Sequence, residues 1–585
     1  MSRSDTFRVL IVDLSTGKGR FTNFGDRSVW CGGSGLATAL FAKYGRPDED
    51  AFHPDQPLIF AIGTLNGYFP LMSKTVCGFK SPYTGHFAES HGGGRSSLAL
   101  RFAGLDALVF IGKAKKPCLV EVGSKRLNVM DAHFLWGADV DTTGKLVRKM
   151  SKAASGHRTM FRIGPAGEHK MHYACINIDT YRHFGRLGCG AVMGAKNLKA
   201  VIVQGDADLE LPEKSKEYVS LFNKLYEDVT STQMMQKYHN LGTPVNVMPL
   251  NELKSLPWRN MQATHDDDAT KISGETFASD VLMHNSACSG CPVGCIHIGM
   301  VRKMFAEDHR FEIRKVSYDH EPNFAAGPML GVTNPTDVLA IIDRCELEGM
   351  DIISAGVALA WATEATEKGL ISEKETMTRL TFGDADAYIK AMYHLGHQEN
   401  DFYRVLGQGA LVAAKTYGGE EFACVLGQEM AGYGTGETYF VGQTLGFRHA
   451  HLDTGGYSYD QKHKEEDIDK TIAFYIDDEK GRVLLTSLVA CLFARGVYKD
   501  ELIAECFKTL GYDDMADNLD SMADHIRNAR WNEKIKCGFN PHTTHIPKRF
   551  AEITTWKGPV NPDYMERLRL AYADAIVAMA KKIDP

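Results

Sequence analysis

Over residues 1–205 the apolar positions fall in short runs cut by glycine, proline and aspartate. FRVLIVDL at 7–14, PLIFAIG at 57–63, DALVFIG at 106–112 and KAVIVQG at 199–205 read as strands. Glycine clusters lie between them: CGGSG at 31–35, HGGGR at 91–95 and GRLGCGAVMGAKN at 185–197. This part of the chain predicts a sheet-rich domain with functional loops. From about residue 211 the apolar spacing becomes helical. Asn334-Pro335 marks a helix start, with Asn as N-cap and Pro in the first turn, where its missing N–H costs nothing. Val338, Ile341, Ile342 and Cys345 then share one face, and the helix should stop near Gly349. Helices are also predicted over 355–368, 483–495, 500–510 and 561–582, while the charged stretch 462–469 reads as a solvated loop or helix face.

Composition narrows the class. The chain has 585 residues, enough for about three domains at roughly 100–200 residues each. Apolar residues make up 44% and charged residues 24%, as in an ordinary globular protein, and the net charge of −7 gives no footprint for nucleic acid or an anionic membrane. The apolar run from Val483 to Phe493 is far short of the roughly 20 residues that span a bilayer. The start, MSRSDTFRVLIVDL, has no long apolar core and no twin arginine, so no signal peptide is expected. Thirteen cysteines, an odd number in a long chain, argue against a disulfide framework and for a reducing compartment, with cytoplasm as the expectation.

The cysteines also carry the chemistry. Cys288, Cys291 and Cys295 lie within A-C-S-G-C-P-V-G-C-I-H, where Gly and Pro let the backbone curl around a compact object. Three thiolates so close together suit an iron–sulfur cluster or zinc. A zinc site usually shows two ligand pairs, and no second pair follows here, although His297 offers a nitrogen. The spacing favours a cluster and leaves the fourth ligand open among Cys345, Cys424, Cys491, Cys506 and Cys537.

Further segments join this one in a fixed order: LIVDLSTGKG at 10–19, GGSG at 32–35, PLIFAIGTLNG at 57–67, KSPYTG at 80–85 and GGR at 93–95. They continue with FAGLDALVFIGKAKKP at 102–117, GRLGCGAVMGAKNLKAV at 185–201 and LPWRNMQ at 256–262. The last are the glutamate before PNFAAG, CELEGMDIISAG at 345–356 and PKRF at 547–550. Over nearly its whole length the chain thus resembles the tungsten-dependent aldehyde ferredoxin oxidoreductases.

The resemblance implies an α+β fold: an N-terminal β-rich base domain over 1–210, then two mainly α-helical domains over 211–417 and 418–585, with the cofactor buried between them. It implies a tungsten (or molybdenum) bis-pyranopterin dithiolene beside a 4Fe-4S cluster, with magnesium linking the pterin phosphates. The family's fourth cluster cysteine sits in a helix within a D-x-x-G-L-C motif; here T-S-L-V-A-C matches, naming Cys491 as metal ligand and Ala490 as a cofactor neighbour. Thr486 then replaces an aspartate and loses its charge. The partner motif D-x-x-G-L-D reads E-L-E-G-M-D, so Glu346, Met350 and Asp351 are expected at a pterin, with Glu346 accepting a pterin N–H. Gly185, Arg186, Leu187 and Gly188 match a Gly-rich loop whose N–H groups and arginine would hold phosphate. Lys74 takes the place of a basic residue between cluster and pterin, His91 falls where the family often has asparagine, and Gly93 and Arg95 complete that loop. Glu321 and His451 are the implied acid–base pair, with His449 the alternative histidine.

The implied reaction oxidises an aldehyde with water to a carboxylic acid, electrons leaving through the cluster to ferredoxin or an iron–sulfur partner subunit. Two other readings stay open at this point: the catalytic subunit of an aromatic acyl-CoA reductase complex, and a non-catalytic iron–sulfur relay. Some family members bridge a dimer through a metal held by E-x-x-H; the matching residues 340–343 are Ala-Ile-Ile-Asp, so no such metal is expected, and a homodimer would need another surface.

Overall fold

A computed structural model describes residues 4–151, 157–306 and 310–583. All four predicted strands form, as Phe7–Asp13, Leu58–Ala61, Ala107–Ile111 and Leu198–Gln204. The first three belong to a six-stranded sheet ordered Lys18–Phe24, Phe7–Asp13, Ala107–Ile111, Leu58–Ala61, Thr75–Lys80, Phe87–Gly92. Only Phe7–Asp13 and Ala107–Ile111 pair in parallel within it. Leu198–Gln204 is central in a second six-stranded sheet, between Arg158–Arg162 and Cys118–Val122.

The two sheets pack face to face because their strands are apolar on both sides. Leu10 and Val12 enter a core shared with Phe161, Ile176 and Val201, in which Phe60 stacks on Phe161 at 4.6 Å. Val9 and Ile11 alternate to the opposite face. There they bury Leu36, Leu40 and Phe41 of the helix Gly33–Tyr44. The remainder is mostly helical, with one three-stranded sheet (Leu282–Ser286, Ile296–Ala306, Arg310–Tyr318) growing directly out of the cysteine segment. The chain is therefore α+β, sheet first and helices after. Among the described residues no helix is long and apolar enough to cross a membrane.

The predicted helix after Asn334 spans Pro335–Glu348. The Asn334 side chain accepts from the backbone N–H groups of Thr336 and Asp337, and Gly349 ends the helix at φ 76°. Helices also form at Ile352–Glu367, Asp500–Thr509 and Pro562–Ala580. The helix predicted over 483–495 does not form as such. A long helix runs from Ile468 to Ser487 and stops; Val489 takes φ 56°, and Cys491 precedes a short turn at Leu492–Gly496. A β-branched residue in the left-handed region is strained and cannot continue a helix. Cys491 therefore lies in a loop, not in the helix the resemblance implied. The charged stretch 462–469 is mostly exposed, and Asp467 caps the long helix by accepting from the Lys470 N–H.

Candidate active site

A cavity of about 380 Å³ lies where the sheet base meets the helical region. Cys288, Cys291, Cys295 and Cys491 all line it, although the first three follow the strand Leu282–Ser286 and the fourth follows a helix far along the chain. Two hydrogen bonds fix the latter segment: the Cys491 N–H donates to Leu71 O at 2.9 Å, and the Lys74 N–H donates to Val489 O at 3.0 Å. Gly93 passes so close that a Cβ there would sit 2.7 Å from Cys288 Sγ and 3.2 Å from Lys74 Nζ. Any side chain would displace the thiol. Among the described residues no three His, Cys, Asp or Glu side chains converge tightly enough to hold a single metal ion. The four cysteines instead share the lining of one cavity.

Two cations face them. Burial disfavours the Lys74 ammonium, yet Cys491 and Cys288 outweigh it and hold its pKa above the ordinary value. Arg182, missed in the sequence, behaves alike: burial opposes its charge, and Asp319, 3.1 Å away, together with Cys288 outweighs burial. The thiols respond unequally. Burial pushes Cys288 up, but Lys74 and Arg182 bring it below the usual thiol range. Burial dominates at Cys291, pushed up to about 11, and at Cys295, pushed up to about 12.

The same cavity holds an acid–base group. Glu321 stands in the first turn of the helix His320–Ala326. Its Oε1 accepts from the Tyr433 hydroxyl at 2.7 Å and lies 3.1 Å from His451 Nε2. Burial pushes the Glu321 carboxyl up, but His451 outweighs it and holds it at about 2. Burial and Glu321 keep the Tyr433 phenol far above its ordinary range, so it stays a donor. His451 Nδ1 is buried without a partner. His449, two residues away, does not line the cavity: its Nδ1 bonds Thr444 O at 2.8 Å and its Nε2 meets Lys534 Nζ at 3.0 Å. That occupies both nitrogens in a structural role.

The remaining candidates divide. His91, Gly185, Arg186, Leu187 and Ala490 line the cavity. Burial and Arg448 lower the His91 pKa to about 4, so the ring is neutral. Nδ1 then accepts from Arg448 at 3.1 Å and Nε2 donates to Glu89 at 3.0 Å. Arg186 is largely committed within the protein. Its Nε donates to Asp351 Oδ2 at 2.8 Å and its Nη2 to Glu429 O at 2.8 Å, leaving Nη1 buried and unpartnered. A bidentate grip on phosphate is therefore replaced by a single free donor. Asp351 itself caps the helix Ile352–Glu367.

Six candidates fall outside the cavity lining, Gly93 and Asp351 among them. Arg95 is exposed at the start of the helix Ser96–Phe102. Gly188 faces the base, where a Cβ would meet His172 O at 2.2 Å. Met350 is packed, its backbone bridging to Ala174. Glu346 bonds His183 at 2.7 Å and Asn177 at 3.1 Å, and lines a separate cavity of about 50 Å³ with Arg162 and Arg314. A third cavity, of about 10 Å³, lies beyond Arg448, between Thr486, Asp453 and Glu479. Glu479 is buried, and its Oε1 has no partner.

Comparison with known proteins accounts for this arrangement. Residues 9–205 match the model of the aldehyde ferredoxin oxidoreductase N-terminal domain, and residues 220–574 that of its domains 2 and 3. The tungsten-containing aldehyde ferredoxin oxidoreductase of Pyrococcus furiosus is 30% identical over 582 residues, covering 96% of this chain and 94% of that protein. From the same organism, a WOR-like subunit of aliphatic sulfonate oxidoreductase is 28% identical over 399 residues, 66% of this chain and 62% of that one. Among solved structures, the active site complex BamBC of benzoyl coenzyme A reductase, in complex with 1,5-dienoyl-CoA, superimposes with a TM-score of 0.80 at 19% identity, covering 98% of this chain and 95% of that one. That likeness is one of fold. With both family models matched across almost its entire length, the chain belongs to the aldehyde ferredoxin oxidoreductase family, a family of tungsten-containing oxidoreductases.

Proposed function

We propose that this protein oxidises an aldehyde with water to a carboxylic acid, passing two electrons through a 4Fe-4S cluster to ferredoxin or an iron–sulfur partner subunit. The observation that carries the reading is one cavity shared by four cysteines and the Glu321–His451–Tyr433 group. Four thiols lining one cavity, with no second Cys pair in the zinc spacing, suit an iron–sulfur cluster. On this reading the helical domain 211–417 supplies Cys288, Cys291 and Cys295, and 418–585 supplies Cys491.

The residues also fit a bis-pterin group. Arg186 Nη1 and the open space beside Gly185 suit a phosphate, and a magnesium ion between the phosphates belongs to the same proposal. Glu346 in one small cavity and Glu479 in the other offer carboxylates to the N–H edges of the two pterins. Glu479 stands two helical turns before Thr486 on the same face, so it returns the charge that Thr486 lacks. Burial raises the Glu479 carboxyl to about 7, and a ligand donor at Oε1 would favour its ionised form. When bound, the tungsten group supplies the two-electron redox centre.

The protein's own part is proton handling. Glu321 is ionised across the neutral range, so it accepts a hydrogen bond from water or aldehyde hydrate and aligns it. A carboxylate held at about 2 keeps a proton poorly, so Glu321 orients the reacting oxygen, while His451, 3.1 Å away, polarises the carbonyl oxygen or shuttles the proton. Tyr433 fixes the Glu321 rotamer. The balance is aldehyde plus water giving carboxylic acid, two electrons and two protons.

The test is anaerobic purification, metal and pterin analysis, and assay with viologen dyes. About one tungsten or molybdenum per chain, with aldehyde-dependent dye reduction, is expected. Metal-replete protein that instead oxidises reduced viologen with an acyl-CoA would reassign it as a reductase. Protein with iron and no tungsten or molybdenum would make it an electron relay.

A further inference from the structure

The acid–base group lies against an aromatic wall that the reaction does not require. Tyr433, which bonds Glu321, packs in tilted contact against Tyr457, with ring centroids 4.6 Å apart, and against His451 at 5.2 Å. A second pair, Tyr238 and Phe493, stacks at 4.1 Å with planes 19° apart. All four rings line the central cavity. Tyr238 comes from the helix Gln233–Asn240 and Phe493 from the turn Leu492–Gly496, so distant parts of the chain meet to build the wall. Both rings are half-buried, which places this pair between the interior and solvent. The Tyr238 phenol lies within electrostatic reach of Tyr457, Arg495 and Glu321, linking the two pairs.

Arg495 adds a charge to this wall. It lines the cavity, and its Nη1 donates to Leu492 O at 2.9 Å. Among the described residues no carboxylate forms an ion pair with it. A guanidinium at a cavity edge, without a protein anion, is free to bind a ligand's carboxylate or other acceptor.

We propose that the substrate is an aromatic aldehyde, its ring held by Tyr238, Phe493 and Tyr457, with Arg495 binding an acceptor group carried on the ring. The inference rests on the aldehyde-oxidising reading of the same site. Aromatic side chains favour a ring in offset or edge-to-face contact over a short alkyl chain, because the rings' quadrupoles add to the area buried. A two-carbon aldehyde would reach Glu321 and leave the wall unfilled.

The experiment measures kcat/KM of the tungsten-loaded protein, by viologen reduction, for acetaldehyde, cyclohexanecarboxaldehyde, benzaldehyde and 4-carboxybenzaldehyde. Benzaldehyde is expected to exceed acetaldehyde roughly 10-fold or more and to exceed the saturated ring as well. Phe493→Ala should lower the benzaldehyde value about 10-fold, mainly through KM, and leave acetaldehyde within about 2-fold. Phe493→Tyr should restore it. Arg495→Met should abolish any preference for 4-carboxybenzaldehyde over benzaldehyde. Acetaldehyde turnover equal to that of benzaldehyde, or equal losses for both in Phe493→Ala, would overturn the ring assignment while leaving aldehyde oxidation intact. An unchanged 4-carboxybenzaldehyde preference in Arg495→Met would overturn the role of Arg495. Loss of all aldehyde turnover in wild-type protein that carries tungsten would overturn the functional reading and this inference together.

Discussion

At one end of the central cavity four thiols face two cations; at the other a carboxylate faces a histidine and a phenol. Burial acts on both ends in the same sense, disfavouring whatever is charged. The outcomes differ because the partners differ. Near the cysteines, Lys74 and Arg182 bring down only Cys288, while Cys291 and Cys295 remain far up. Around Glu321, His451, with smaller contributions from His320 and Tyr433, overcomes burial and leaves a stable carboxylate. At the thiol end burial outweighs the two cations at Cys291 and Cys295, and a bound metal would displace those protons. The carboxylate end is ionised by its protein neighbours alone.

If that contrast holds, damage to the two ends should be separable. The largest effect is expected from Cys288→Ala, where iron and acid-labile sulfide per chain should fall to background together with activity; unchanged iron content would break the ligand assignment. Glu321→Gln and His451→Phe should keep iron, sulfide and tungsten at wild-type levels and lose about 10²–10⁴-fold in turnover, the usual range for a positioned acid or base. Near-normal rates in the metal-replete variants would remove these residues from the chemistry. Lys74→Met is expected to retain the cluster but lower its midpoint potential, since a nearby positive charge favours the reduced form; an unchanged potential in a redox titration would place Lys74 outside the cluster's field.

The smallest effect concerns pH and stability. Glu321 has its carboxyl lowered from 4.5 to about 2, so its contribution is present above pH 4.5 and lost as pH falls toward 2. Glu479 is shifted the other way, from 4.5 to about 7, so its contribution is full below pH 4.5 and is lost as pH rises toward 7. In thermal melts of metal-free protein, Glu321→Gln should flatten the acid limb and Glu479→Gln the limb between pH 4.5 and 7. Parallel curves for both variants would show that the two carboxyls do not differ as described.

Much of the architecture was legible where signals are local. Asn334-Pro335 and Gly349 bound their helix because capping depends on neighbouring residues alone. The four base strands announced themselves as short apolar runs because both faces of each sheet are buried. The run around 483–493 misled because it is apolar throughout and no period reveals a break. The stop depends on the left-handed Val489, held in place through Lys74 and Leu71 from the base. The site followed the same rule. Three cysteines within eight residues were visible, whereas Arg182, Tyr433, Tyr457 and Arg448 had no signal of their own. Their roles arise from contacts such as Tyr433 with Glu321 and Arg448 with His91, which join residues far apart in sequence. Arg186 was visible in its glycine loop, but its main partner, Asp351, sits on a different element.

The placement of Cys491 has a further consequence, for assembly. Its three companions precede it by a stretch that includes Glu321 and the whole span up to His451. A cluster on all four thiolates would act as a staple that closes this long loop and shrinks the ensemble of unfolded chains. The entropic gain from closing a loop grows slowly but steadily with its length. Iron insertion would then both complete an electron path and hold the helical halves together, so that protein lacking iron would lose cohesion first at the cavity itself.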